Sequence, residues 1–335
     1  MRCFKSRSIA YSSTSSDILF SEDKIEHGRN FMNKLWNSAR FILMNVDNTN
    51  SKLPKYDKLH ITDKWIISKL HTSIKNIDTH YNNYKLNEVI KNIYDFVHNY
   101  FCDWYIEFTK TRFYDKNKED KQIAEAVSIY VLKNILKMLH PFTPFITEEI
   151  WQILNIKDQK HLINSQMPSY KSDYINNNIE NNLKTIIDVI SAVRNIKASL
   201  NISPSKTVKL FLRGNDKTTK VILKNKNILN RLAKIKEIES GVNIIKPSQS
   251  ATAIIKNLEI FVPLKGLINI NDEINRLEKQ IEDMNGRLNT IYNKLNNENF
   301  VKRAPTKVVE HEKNKKVDYE SQLEKLIENL NALKD

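Results

Sequence analysis

Towards the end of the chain the apolar residues return after three and four positions in strict alternation. Ile274, Leu277, Ile281, Met284, Leu288, Ile291 and Leu295 keep this beat, which is the a/d seam along which one helix packs on another. A polar run at 296–299 interrupts it and Pro305 follows, so the helix ends and the chain turns. Tyr319, Leu323, Leu326, Leu330 and Leu333 then repeat the spacing. The pattern predicts a C-terminal antiparallel coiled-coil hairpin with arms of roughly 28 residues, or about 40 Å. Periodicity alone fits an oligomerisation or spacer hairpin. Its distal end adds Lys302, Arg303, Lys307, Lys313, Lys315 and Lys316 against Glu310 and Glu312, and concentrated cations suit a phosphate backbone better than a self-complementary seam.

Before this hairpin the spacing is that of amphipathic helices. Ser21 can cap a helix from Glu22 to about Asn45, and Thr62 or Asp63 a second one. A third, about Asn87 to Thr111, carries Tyr94, Phe96, Tyr100, Phe101, Trp104, Tyr105 and Phe108 beside Val89, Ile93 and Val97. That stripe reads as core, with base stacking as its alternative. A fourth helix spans about Lys121 to Leu139, and Thr147 caps a short one with Trp151 turned inward. His161 to Asn182 reads as a polar surface loop before a helix from Leu183 to Leu200. Beyond Pro204 the period changes: Val208 to Leu212, Ala253 to Ile255 and Leu258 to Val262 look like strands around a helix from Thr218 to Glu239, closed by Gly241. The fold class expected is mainly α: a helical bundle over 21–205, a small α/β subdomain over 206–268 and the coiled-coil arm over 269–335.

A net charge of +14 points to a polyanion, although lysine, asparagine and isoleucine are abundant everywhere, as biased genome composition would make them. Clustering says more: from Arg194 to Lys236 there are twelve basic residues and one acid, Asp216. This suits either a phosphate-facing surface or a solvated lysine-rich one. The five glycines are isolated, so no glycine-rich loop cradles a nucleotide phosphate. Cys3 and Cys102 form no disulfide framework, the eight histidines show no metal-ligand spacing, and no apolar run reaches the roughly 18 residues needed to cross a bilayer. The first sixteen residues superficially resemble a transit peptide, but they lead directly into a helix as interior sequence would.

Three strings then become specific. Residues 29–37 (RNFMNKLWN), 101–105 (FCDWY) and 139–151 (LHPFTPFITEEIW) resemble, in order, marks of the anticodon-binding bundle of class I aminoacyl-tRNA synthetases. Residues 262–268 (VPLKGLI) before the heptads, 297–301 (NENFV) with Ala304 and Pro305 at the bend, and 193–197 (VRNIK) with 204–206 (PSK) are similar to the valyl-tRNA synthetase family. The cysteine-rich zinc module expected of the isoleucine enzyme is absent from the sequence. The resemblance runs from about Ile9 to the end and covers only the C-terminal part of that family's enzyme, with residues 1–20 as a remnant of its stem region. The catalytic signatures His-Ile-Gly-His and Lys-Met-Ser-Lys-Ser do not occur, and the chain starts just past the second, as a split or truncated gene would.

The resemblance implies a cytoplasmic, monomeric tRNA-binding chain that recognises tRNA(Val), without catalytic residues or a cofactor of its own. ATP and magnesium are expected only for the full-length enzyme, and a separately encoded catalytic half is a possible partner. Phosphate contacts are expected from Arg194, Lys197 and Lys206 at the bundle exit and from the six basic residues of the hairpin tip. Arg29, Asn33 and Arg40 on the first helix are further candidates. The alternatives are a protein-interaction subunit whose hairpin pairs with a catalytic chain or with itself, and the product of a truncated gene.

Overall fold

In a computed structural model the described residues are 22–114, 117–155, 160–297, 300 and 305–334. They divide into two compact units, one up to Leu183 and one from Lys184. The N-terminal unit contains α1 (Glu22–Asn45), α2 (Ile61–Asn82), α3 (Leu86–Asp95), a π-helical segment (Phe96–Tyr105), α4 (Ile106–Phe113), α5 (Lys118–Leu139), α6 (Pro144–Leu154) and the first turns of α7 (Asn177–Ser199). The N-terminal residues read as a stem remnant or transit peptide lie outside the described residues.

From Leu86 to Phe113 the chain is helical throughout, with the π segment in its middle. A wider turn brings positions four and five apart onto one face. Phe96, Phe101 and Tyr105 are accordingly all fully buried. Trp65 on α2 meets Tyr100 and Phe108 edge-on, with ring centroids 6.0 and 5.7 Å apart. The aromatic stripe is therefore largely core, with Tyr94, Tyr100 and Trp104 half-buried at its margin.

Several helix starts differ from the sequence expectation. His60, not Thr62 or Asp63, is the N-cap of α2: its ring accepts from the Thr62 amide while Asp63 Oδ2 accepts from the His60 amide at 3.2 Å. This is a capping box with the acid at its third helical position. α6 begins at Pro144 rather than after Thr147, because proline suits the first turn. Thr147 is buried and donates to the Thr143 carbonyl at 2.9 Å. α7 starts at Asn177, six residues before Leu183, with Asn176 Oδ1 accepting from the Ile179 amide at 3.1 Å.

The segment before α7 is polar and mostly exposed, as expected of a surface loop, but it is pinned to the bundle. Leu162 is buried, and the Lys171 amide donates to His71 Nδ1 at 3.1 Å. That bond leaves Nε2 as the protonated nitrogen, 3.0 Å from the Tyr130 hydroxyl. Nearby, buried Glu180 accepts from Ser68 and Thr72 at 2.5 and 3.1 Å and pairs with Lys69 at 2.7 Å.

The C-terminal unit holds the rest of α7, a four-stranded sheet and two long helices. The strands are β1 (Val208–Arg213), β2 (Ile235–Gly241), β3 (Ser250–Ile255) and β4 (Leu258–Pro263), in spatial order β2-β1-β4-β3. β1 and β2 are parallel and are connected through α8 (Asp216–Lys224) and α9 (Lys226–Ala233); the other pairings are antiparallel. The single helix expected from Thr218 to Glu239 is thus two helices and a strand. Lys234 adopts a left-handed conformation, φ 55°, that ends α9 and turns the chain into β2.

α10 (Ile270–Asn296) and α11 (Thr306–Lys334) pack side by side. Glu278 pairs with Lys334, Tyr292 with Glu320 and Lys294 with Glu312, so one helix number rises as the other falls and the pair is antiparallel. Leu277, Leu288, Ile291 and Leu333 are buried in the seam, and α11 also contacts β3.

Two outcomes follow from this packing. Replacing Trp151, 1% exposed, with alanine is expected to lower stability by about 3–5 kcal/mol through cavity formation, read from the denaturant midpoint. Burial, then the Lys171 charge, lowers the His71 pKa from 6.5 to about 4. The unfolded chain therefore takes up this proton first, and stability falls as pH drops from about 6.5 towards 4. Urea titrations across that range should show the loss, and His71→Gln should flatten it.

Candidate nucleic-acid interface

α1 buries Phe31, Met32, Leu35, Ala39 and Ile42. The same 3.6-residue period leaves Arg29, Asn33, Asn37, Arg40 and Met44 exposed on its other side. Asn33 and Arg40 are seven residues apart and share one face. Arg29 pairs with Glu26 at 3.2 Å, but both side chains are more than 60% exposed, so this pair holds the guanidinium only weakly.

At the bundle exit the three candidate cations have different roles. Lys197 is 2% exposed. Its ammonium donates to the carbonyls of Lys206, Ala233 and Pro204 at 2.6, 2.9 and 3.4 Å. The expected phosphate contact from Lys197 is therefore corrected: its three donors are already directed at the backbone, where they hold α7, the approach to β1 and the end of α9 together. Burial, then the charges of Lys234 and Arg194, lowers its pKa. Arg194 Nε and Nη2 donate to the Leu232 carbonyl at 3.0 and 2.9 Å, and Lys206 Nζ to that of Leu267 at 2.6 Å. Both side chains remain exposed.

At the hairpin's far end Lys302 and Arg303 lie outside the described residues, and Lys307 is in the first turn of α11. Lys313 is exposed. Lys315 and Lys316 are half-buried, the first 3.7 Å from Glu312, the second 3.8 Å from Glu320 and with its ammonium 4.6 Å from the centre of the Tyr292 ring. The seam of α11 runs on beyond its apolar part, through Lys316 and Glu312 to Val309, at the same alternation of three and four. A search for apolar residues alone misses these positions, although the beat itself points to them. Among the described residues no cluster of His, Cys, Asp and Glu could hold a metal, and no helix is long and apolar enough to cross a membrane.

Two family models match this chain in order: the anticodon-binding domain of tRNA ligase over residues 63–212, and the valyl tRNA synthetase tRNA binding arm over residues 269–334. The chain belongs to the valyl-tRNA synthetase family, as its C-terminal region. The valine–tRNA ligase of Listeria innocua is 36% identical over 97% of this chain and 37% of its own length. Those of Geobacillus stearothermophilus and Bacillus subtilis are 36% and 34% identical over 92% of this chain, and each is matched over 35% of its own length. The chain thus spans little more than a third of these synthetases. Within this region of a valyl-tRNA synthetase, α2 to β1 falls in the anticodon-binding match and α10 with α11 in the arm.

Lys197→Met keeps the alkyl stem but leaves three carbonyls without their donor. We expect a stability loss of about 1–3 kcal/mol in urea unfolding, where loss of a surface phosphate contact would leave the unfolding midpoint unchanged.

Proposed function

We propose that this chain is the tRNA-recognition part of a valine–tRNA ligase and binds tRNA(Val) in the cytoplasm. The observation that carries the reading is the ordered pair of family matches, anticodon-binding domain followed by tRNA-binding arm. The bundle meets the anticodon stem and loop, with Asn33 and Arg40 on the exposed side of α1 as contacts. The arm lies against the body of the tRNA, its basic end supplying phosphate contacts. Attachment of valine, with ATP and magnesium, belongs to the part of the enzyme that this chain does not match, joined to it or encoded separately.

A monomer is the state the hairpin supports. Its seam is filled from within one chain, Leu277, Leu288, Ile291 and Leu333 being buried without a second copy, so self-association is not needed to cover it.

Titration of the chain with tRNA(Val) and with a non-cognate tRNA at several salt concentrations tests this. The expected result is preference for tRNA(Val), with affinity falling steeply as salt rises. Arg40→Ala should weaken binding and make the log–log salt slope shallower by about one unit. Equal affinity for both tRNAs, or a flat salt response, would contradict the proposal.

A further inference from the structure

Residues 213–268 lie between the two family matches, and they include α8 and α9. Lys217, Lys220 and Lys224 stand at positions i, i+3 and i+7 of α8, on the side away from buried Thr219 and Ile222. All three are exposed, as are Lys226 at the start of α9 and Lys234 at its end. None of these five ammonium groups ion-pairs with a carboxylate among the described residues. Some other cations of the same unit are paired: Lys209 with Glu237 at 2.8 Å, and Arg213 with Glu259 at 2.5 Å. The only acid on the two helices is Asp216, in the first turn of α8.

The charge is crowded as well as unpaired. Lys234 and Arg194 both raise the positive potential at buried Lys197, whose partners are carbonyls and not carboxylates. Like charges held close cost free energy that an external anion offsets. Lys217 to Lys224 extends about 10 Å along the helix, a row suited to successive charges on a polymer rather than to one small ion. Exposed Asn227 and Asn230 on α9 add neutral donors.

We infer that α8 and α9 form an additional nucleic-acid backbone site, in which Lys217, Lys220, Lys224, Lys226 and Lys234 contact phosphates without reading sequence. The site deepens the proposed function and rests on it: the RNA is the one bound by the bundle and the arm, gripped a third time by the subdomain between them.

The test compares the full chain with a Lys217→Gln, Lys220→Gln, Lys224→Gln variant. These lysines are exposed and unpaired, so thermal unfolding should not fall to lower temperature. Titration with tRNA should give weaker binding, with the log–log salt slope shallower by about two to three units and the preference for tRNA(Val) over other tRNAs retained. Unchanged affinity and slope in the variant, while the parent binds tRNA, would overturn this inference alone. A parent chain that binds no tRNA would overturn it together with the proposed function. Vesicles containing phosphatidylserine form the second arm: capture of the parent but not of the variant, with tRNA binding equal in both, would assign the lysines to an anionic membrane and overturn the RNA site.

Discussion

The guanidinium of Arg112 fixes how the helices of the N-terminal unit meet. It is 5% exposed, donates to Asp63 at 2.7 Å, and takes both carboxylate oxygens of Asp120 through Nε at 3.0 and 2.9 Å. Asp63 is fully buried, belongs to the capping box of α2 and accepts from the Tyr105 hydroxyl at 2.9 Å. One charge therefore joins the start of α2, the end of α4 and the first turn of α5. A buried pair of this kind is no guarantee of stability, since its desolvation cost rivals its attraction. Its consequence is geometric. Two carboxylates in fixed directions constrain how these helices meet, and the packed side of α1 is held against them by Phe31 on Tyr94 and Phe41 on Phe113, ring centroids 4.8 and 5.6 Å apart.

Helices that bury one apolar stripe were legible in the sequence, because period and burial are the same fact. α1 has the bounds its pattern predicts, and the two seams of the hairpin place Leu277, Leu288, Ile291 and Leu333 inside. Strands β1, β3 and β4 also lie where the sequence expects them, but some elements set by other forces were not legible. β2 was read as helix because Lys236, Glu237 and Glu239 are exposed and charged; its strand state comes from pairing with β1, with Val208 opposite Ile235 and Leu210 opposite Ile238. The π segment escaped a reading based on 3.6 residues per turn, although its aromatic residues were placed in the core. Helix starts shifted where the cap was an uncommon residue type, as with His60, or where a proline opened the turn, as at Pro144.

The family was legible, since several short strings fell in one order; those at 101–105, 139–151, 193–197, 204–206 and 297–301 fall inside the two family matches, while 29–37 and 262–268 lie outside them. Individual contacts were harder to read, and lysine shows why. A lysine in a sequence carries the same symbol whether its ammonium meets water, a carboxylate, a carbonyl or an external anion. Lys197 and Lys206 stand nine residues apart in one basic stretch, yet Lys197 is enclosed by three carbonyls while Lys206 stays exposed and touches one. What separates them is the chain folding back through Ala233, a contact 36 residues away.

That distinction also sharpens the reading of the basic stretch. A count of charges from Arg194 to Lys236 treats every lysine alike and suits a phosphate-facing surface as well as a solvated lysine-rich one. Partners in space sort them instead. The cations that meet carbonyls or carboxylates, Lys197, Lys209 and Arg213, are committed to the fold. Lys217, Lys220, Lys224, Lys226 and Lys234 on α8 and α9 are exposed and form no ion pair among the described residues. A composition bias can put lysine at such positions, but it does not require that acids be missing from both helices except at Asp216. On α10 and α11, where glutamate is more frequent, several lysines are paired: Lys334 with Glu278, Lys315 with Glu312 and Lys316 with Glu320. The lysines of α8 and α9 instead stand together on two helices whose sole acid is Asp216, and a local excess of cations of this kind is what attracts a phosphate backbone.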